Sequence, residues 1–513
     1  MTEHNPEKDY PEKQYISTSS EWTFATIEAY EREIARIAHD KFKLDTYPNQ
    51  IEMIRSDQMM DAYASIGMPV FYNHWSYGKH FVDTEQKYSR GRMGLAYEIV
   101  INSNPCIAYL MEENTMTMQA LVIAHACYGH NSFFKGNYLF RTWTDAEAII
   151  DYLMFAKKYI SQCEERYGVE QVELLLDSCH ALMNYGVDRY KRPAPISAAE
   201  EQNRQKEREL YIQQHINDLW RTLPHRGRER EEEKAVHNFP EDPQENLLYF
   251  IEKNSPSLEI WQREIIRIVR KVAQYFYPQR QTQVMNEGWA TFWHYTILNE
   301  MYDEGLVNEG FMMEFLTSHT NVVMQPGFDS PYYSGINPYA LGFAMMTDIR
   351  RICENPTEED KHWFPDMAGS DWLTTLDHVM RNYRDESFIL QFMSPKIIRD
   401  FHFFALEDDD RKNTIDVTAI HNDEGYRRVR ETLSMQYNLS QQEPDIQIFR
   451  VNLRGDRSLT LQHVLNERRP LNDEVNEMLR HVYRLWGYDV HLHSVEPTGR
   501  TVRSYHLVGE HQN

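Results

Sequence analysis

The sequence predicts a mainly α protein: a large helical domain that carries a small β-hairpin, followed by a separate C-terminal α+β domain. Three observations predict it. Between residues 21 and 404, apolar residues recur at helical spacing in segments closed by Gly or Pro. One stretch, AYEIVINSNPCIAYLM (96–111), breaks that period, because two apolar runs flank the turn residues Asn102-Ser103-Asn104-Pro105. After the acidic run 407–410 the period changes again, and short strands alternate with helices to the end of the chain.

Taken in order, residues 1–20 form a polar lead expected to be disordered. A helix is expected over 21–41, where Phe24, Ile27, Ala35 and Ile37 give an apolar face, and a short one over 57–66. The loop 69–81 is rich in aromatics and holds His74 and His80. The hairpin then leads into a helix that begins at Asn114 or Thr115. Thr144 and Glu147 read as a capping box opening a helix that Gly168 stops. The next helix, over 170–185, has Asp177 and His180 on one face. From 198 to 243 the composition shifts to Glu, Arg, Lys and Gln, and this charged insertion is expected to be partly mobile. Order resumes at Glu245. Ser255-Pro256 opens a helix that Pro278 ends, and the segment 283–295 follows directly. The core domain is thus expected over 21–404. The C-terminal domain, 405–513, has its own strands and helices and is expected to fold by itself.

A formal net charge of −24 argues against nucleic acid or an anionic membrane surface as the main partner. No apolar run approaches the roughly 18 residues of a membrane span. The first fifteen residues lack the apolar core of a signal peptide. Five cysteines, an odd number set mostly in apolar segments, read as buried thiols of a reducing compartment. A cytoplasmic location is expected.

The chemistry concentrates in two segments. NTMTMQALVIAHACYGHNSFFKGN (114–137) is too apolar all round for a surface helix, so it should be buried, yet it carries His125 and His130. Two buried imidazoles are costly unless something binds them. Far downstream, QVMNEGWATFWHY (283–295) offers Glu287 and, one heptad on, His294 on the same helix face. The order of hairpin, two-histidine helix, insertion and NEGWA helix is a zincin-like arrangement, in which the late Glu is the third zinc ligand. His125, His130 and Glu287 are therefore the metal-ligand candidates, for a divalent ion and most naturally zinc.

Two features depart from that plan. The histidines are five apart, so on a regular helix they would point roughly 140° apart. A π-turn, which closes i to i+5, or a helix end between Ala126 and His130, would bring them to one face. Position 126 is Ala where the zincin motif has its general base. Glu98, Glu112, Glu113 or His294 could take that place, and His294 and Glu113 are the catalytic candidates.

GLAYEIVINSNPCIAYLMEENTMTMQALVIAHACYGHNSFF, LLLDSCHALMNYGVDRYKRP, QVMNEGWATFWHY and SGINPYALGFAM resemble the SpoVR family, stage V sporulation protein R and its non-sporulating bacterial relatives. The resemblance runs from about Trp22 to about Leu492. It implies a link to spore cortex formation, hence peptidoglycan, or to a stress response shared with a serine-protein kinase and a companion protein. Three readings follow: a metal-dependent hydrolase acting on peptides or peptidoglycan-related substrates, a non-catalytic adaptor whose C-terminal domain binds a partner, or a di-iron carboxylate protein using Glu98, Glu112, Glu113, Asp177, His180 and Glu287.

Overall fold

A computed structural model of the chain describes residues 15–64, 72–76, 98–189, 239–240, 242–327, 330–403, 405–408, 415–419, 422–453, 455–465, 471 and 474–508. The protein is mainly α, with small sheets in its N-terminal and C-terminal parts. It divides into two compact units, one made of 1–173 with 274–443 and the other of 174–273 with 444–513. Most of the expected lead, nearly all of the charged insertion and His80 lie outside the described residues. Among the described residues no helix is long and apolar enough to cross a membrane. All five cysteines are buried and free.

In the first unit, α1 (Phe24–Arg36) opens with a capping box between Thr23 and Thr26 and runs on as a π-helical turn, Ile37–Lys41. The expected hairpin is present: β2 (Glu98–Ile101) pairs antiparallel with β3 (Cys106–Met111). A strand that the sequence pattern does not announce, β1 (Asn49–Ile54), lies parallel on the other side of β3, with Asn49 opposite Cys106 and Ile54 opposite Met111. None of its positions is fully buried, so its sequence, NQIEMI, shows little of the alternation that marks a strand.

The histidine segment follows as α2 (Met116–Val122), a π-helix over Ile123–His130, and α3 (Asn131–Gly136). The unit is centred on α4 (Gln283–Asp303), buried on almost every side, with Trp289 and Trp293 wholly enclosed. Around it lie α5 (Glu309–Val322), α6 (Pro338–Glu354) and α7 (Asp385–Phe392). Two backbone approaches set the spacing. Gly129 lies so near α4 that a Cβ there would stand 2.5 Å from Ala290 Cα, and Gly288 meets Gly342 of α6 with equally little room.

Some local expectations differ. Thr144 does not open a helix; it ends the helix Tyr138–Trp143, and the next runs Ile149–Tyr167. Thr144 and Glu147 instead accept hydrogen bonds from the side chains of Asn102 (2.9 Å) and Asn104 (2.5 Å), which ties the hairpin turn down. Pro278 sits inside the helix Ile260–Gln281 rather than ending it.

The first unit also holds β4 (Ala405–Asp408), β5 (Ile415–Ala419) and α8 (Asp423–Gln436). The division therefore falls after Glu443, not at the expected junction near 404. In the second unit β6 (Ile446–Val451), β7 (Leu459–Val464), β8 (Val490–Val495) and β9 (Thr501–Leu507) form one sheet in that order. The β7–β8 pair is parallel, joined through α9 (Val475–Trp486), and the outer pairs are antiparallel. Gly487, at φ 84°, gives α9 its left-handed end. Residues 174–273 complete this unit: Gln244 bridges to Ile448 and Ser255 Oγ donates to Leu485 O at 2.9 Å.

Candidate metal centre

Thr115 caps α2 by accepting from Met118 N at 3.2 Å, and the helix that follows is enclosed throughout. At Ile123 it widens. Asn131 N–H bonds to Ala126 O, five residues back, and the π-turn so formed turns His125 and His130 to one face. Their ring centroids are 4.6 Å apart with the planes perpendicular. Of the two expected devices, a π-turn or a helix end, the π-turn is what aligns them.

Each residue of NEGWA has a separate task. Asn286 Oδ1 accepts from His130 Nδ1 at 2.9 Å. Glu287 points its Oε2 at both histidines, 3.5 Å from His130 Nε2 and 3.8 Å from His125 Nε2. Gly288 admits α6, Trp289 Nε1 donates to Ser132 Oγ at 2.9 Å, and Ala290 seats Gly129. The start of α4 is held by buried Asp385, which accepts from Val284 N and Met285 N at 2.9 and 2.8 Å. From the hairpin, Glu98 brings Oε1 to 3.3 Å from His125 Nε2.

Proton positions follow from these partners. With its Nδ1–H given to Asn286, His130 presents an Nε2 lone pair to Glu287. Burial pushes His130 down to about 4, so the ring is neutral near neutral pH. Glu287 Oε2 is itself buried without a hydrogen bond. Two lone pairs thus face each other across 3.5 Å, an arrangement that a cation between them would relieve. Behind His125, its Nδ1 lies 3.0 Å from His294 Nδ1, and His294 Nε2 lies 2.9 Å from His319 Nδ1. When His125 keeps Nε2 for the carboxylates, its Nδ1–H donates to His294, whose Nε2–H donates to His319. Burial depresses both His294 and His319, the latter to about 4, so both rings are neutral and able to accept.

The two carboxylates are pushed in opposite directions. Burial drives Glu98 up to about 7, against the pull of His125 and with some repulsion from Glu287. Burial acts on Glu287 too, but the positive charge that His130 and His125 carry when protonated, with a hydrogen bond from Tyr339, outweighs it and holds Glu287 below the usual carboxylate range. His125 is raised: burial alone would lower it, and Glu98 and Glu287 together overcome that.

The donor set suits a small divalent ion. Tetrahedral zinc with bonds of 2.0–2.1 Å places its donors about 3.3–3.4 Å apart; the separations here are 3.3, 3.5 and 3.8 Å. Glu98, His125 and His130 can offer donor atoms that all lie within 4.8 Å of one another.

Of the residues singled out from sequence, His125, His130 and Glu287 come together, and Glu113 does not join them. Glu113 is exposed and accepts from Ser56 N at 3.2 Å, because the chain turns sharply between β3 and α2 and leaves it outside. His294 is at the centre but behind His125, turned from the carboxylates. Glu98, only one of four alternatives in the sequence, is the carboxylate that faces the histidines. Asn286 and His319 were missed; the Asn beside Glu287 was the available signal for the first, and nothing in the spacing of His319 marked it. Asp177 and His180 lie on the helix Val169–Ala181 and are not part of this cluster.

Fold and site together define a helical protein built around a buried two-histidine, two-carboxylate cluster. The chain belongs to the SpoVR family: the family profile described as SpoVR like protein matches residues 21–442, and that of the SpoVR-like C-terminal domain matches 444–497. It is 67% identical over 487 residues to the uncharacterized protein YcgB of Escherichia coli (strain K12), covering 94% of each chain. No solved structure matches it.

Proposed function

We propose that the chain is a metal-dependent hydrolase of amide bonds, in which His125, His130 and Glu287 hold a divalent ion of the zinc class and Glu98 is the general base. The observation that carries this is the unrelieved pair of lone pairs on His130 Nε2 and Glu287 Oε2, with His125 and Glu98 closing the same space. Bound there, such an ion would supply a water-derived nucleophile at neutral pH and polarise a substrate carbonyl.

The protein's own groups divide the remaining work. Two carboxylates whose affinities for protons are pushed apart are the mark of an acid–base pair with distinct roles. Glu287 stays ionised and serves charge; Glu98, up to about 7, can take a proton from water and return it to a leaving amine. Glu98 thereby supplies what the motif lacks at Ala126. Asn286 and His294 hold the two imidazoles in the orientation that keeps both Nε2 atoms inward. The resemblance to stage V sporulation protein R favours peptidoglycan-derived peptides as the substrate class.

The test is metal analysis of protein purified without a histidine tag, beside hydrolysis of muropeptides. An ion that is present in the wild type and in Glu98→Gln but lost in His130→Gln and Glu287→Gln is the expected result, with Glu98→Gln inactive. Two irons per chain would favour the di-iron reading. No ion, even after equilibration with excess zinc, would overturn the metal reading in favour of an adaptor.

A further inference from the structure

The C-terminal sheet carries a second group of imidazoles that the centre above does not use. The strand β8 reads Val490-His491-Leu492-His493-Ser494-Val495. Its alternation sends Val490 and Leu492 into the core with α9 and leaves His491 and His493 on the opposite face, half-buried. The neighbouring strand β9 sets His506 opposite His491 and Ser504 opposite His493. Three imidazoles therefore share one face of two hydrogen-bonded strands. The His491 and His506 rings are 5.1 Å apart by centroid, with Nδ1 to Nδ1 at 2.9 Å, and the His493 and His506 rings are 5.9 Å apart.

The surroundings make the cluster unlike an ordinary solvated set of charges. Across β7 the facing residues are Thr460 and Gln462, neither of them charged. Among the described residues no carboxylate forms an ion pair with any of the three histidines, whereas exposed His362 pairs with Asp423. Two ring nitrogens 2.9 Å apart can share a proton or a cation. His493 Nδ1 is taken by Ser504 Oγ at 2.8 Å, which leaves Nε2 for another partner.

We propose that His491, His493 and His506 form a second metal site, for a divalent first-row transition ion of the zinc class, on the open face of the C-terminal sheet. The H-x-H repeat on one strand and a histidine on its neighbour bring three imidazoles to one side of a rigid support. All-imidazole sets suit zinc, copper and nickel rather than magnesium or calcium. The Nδ1 atoms of His491 and His506 already stand close to the spacing of two donors on one ion. His493 completes the set by rotation of its side chain, which its partial exposure permits. Because His506 is exposed, the ion has at least one position open to solvent and exchanges readily. The site is independent of the central cluster, so either can fail without the other.

The experiment uses full-length, untagged, chelator-stripped protein titrated with zinc against a chromophoric chelator. Wild type is expected to take up one more ion than His491→Gln/His506→Gln, with unchanged circular dichroism. The single variant His493→Gln should bind that ion more weakly by at least about tenfold, the lower end of what loss of even an outer partner of a ligand does. His130→Gln should keep this uptake while losing the central ion. Cobalt in place of zinc should show visible absorption that the double variant lacks. Equal zinc uptake by wild type and the double variant would overturn the proposal. Should the double variant fold poorly, His506→Gln alone, changed at an exposed position, replaces it: the same ion should be lost, and uptake equal to wild type would overturn the proposal.

Discussion

His125 and His294 meet through their Nδ1 atoms at 3.0 Å, and this contact helps to set which nitrogen of His125 faces Glu98 and Glu287. Burial keeps His294 neutral, and its other nitrogen is committed to His319. With its Nε2–H given to His319, its Nδ1 accepts from His125, and turning away would leave a buried N–H unpaired. His294→Phe should lower zinc affinity about 10–100-fold, as loss of a ligand's outer partner does. His294→Gln, which keeps an acceptor, should recover part of it. Competition titration reads both, and equal affinity in wild type and the Phe variant would show that His125 is oriented by something else.

The contact of Gly129 with Ala290 makes a second prediction. Any side chain at 129 must push the π-turn off α4, carrying His130 away from Glu287. Gly129→Val should cost about 1–3 kcal/mol through overpacking, seen as a lower thermal midpoint, and should lose zinc as well. A variant that is less stable yet binds zinc normally would separate the packing from the site.

Asp385 anchors the helix that carries Glu287, and its removal tests how α4 is positioned. Asp385→Ala leaves Val284 N and Met285 N buried without acceptors, at about 1–3 kcal/mol for each group. Asp385→Asn retains one acceptor and should fall between. Burial raises Asp385 from 3.8 to about 7 despite those N–H groups. A carboxyl raised in the folded state gives its full stabilisation below its unfolded value and loses it as pH climbs through the folded one. The stability advantage of wild type over Asp385→Asn should therefore shrink between about pH 4 and pH 7. Chemical denaturation across that range reads it; a gap that widened with pH would refute the assignment.

The composition of the second unit predicts how fragments behave. The sheet β6 to β9 receives a backbone bridge from Gln244, a hydrogen bond from Ser255 to Leu485, and Phe250 stacked against Trp486 with centroids 6.1 Å apart. A fragment of 405–513 lacks all three, so it should not unfold cooperatively by circular dichroism on its own. Co-expression with 174–273 should restore a sharp transition. A sharp transition in the fragment alone would show that α9 and the sheet suffice.

Much of the site was legible because its chemistry is local. Two imidazoles on an apolar helix demanded partners, and a five-residue spacing on a buried helix demanded a π-turn or a helix end, of which the structure has the π-turn. NEGWA signalled a carboxylate, and neighbouring Asn286 and Gly288 have tasks of their own beside it. The hairpin was legible from its period, whereas β1 was not, since a strand with no fully buried position leaves little pattern. Thr144 and Glu147 had the spacing of a capping box and served as acceptors for a distant turn instead. A cap is a local signal that a tertiary partner can take over.

By itself, then, the sequence determined the helical class, the hairpin, the two segments that make the centre and the family. These depend on periodicity and short-range spacing, which lie along the chain. Only the tertiary structure decided that Glu98 rather than Glu113 faces the histidines, that His294 stands behind His125, and that 174–273 belongs with the C-terminal sheet. Each of those depends on which surfaces meet. Such meetings are set by long-range packing, here by glycines that let backbones touch and by a strand whose register aims one carboxylate inward.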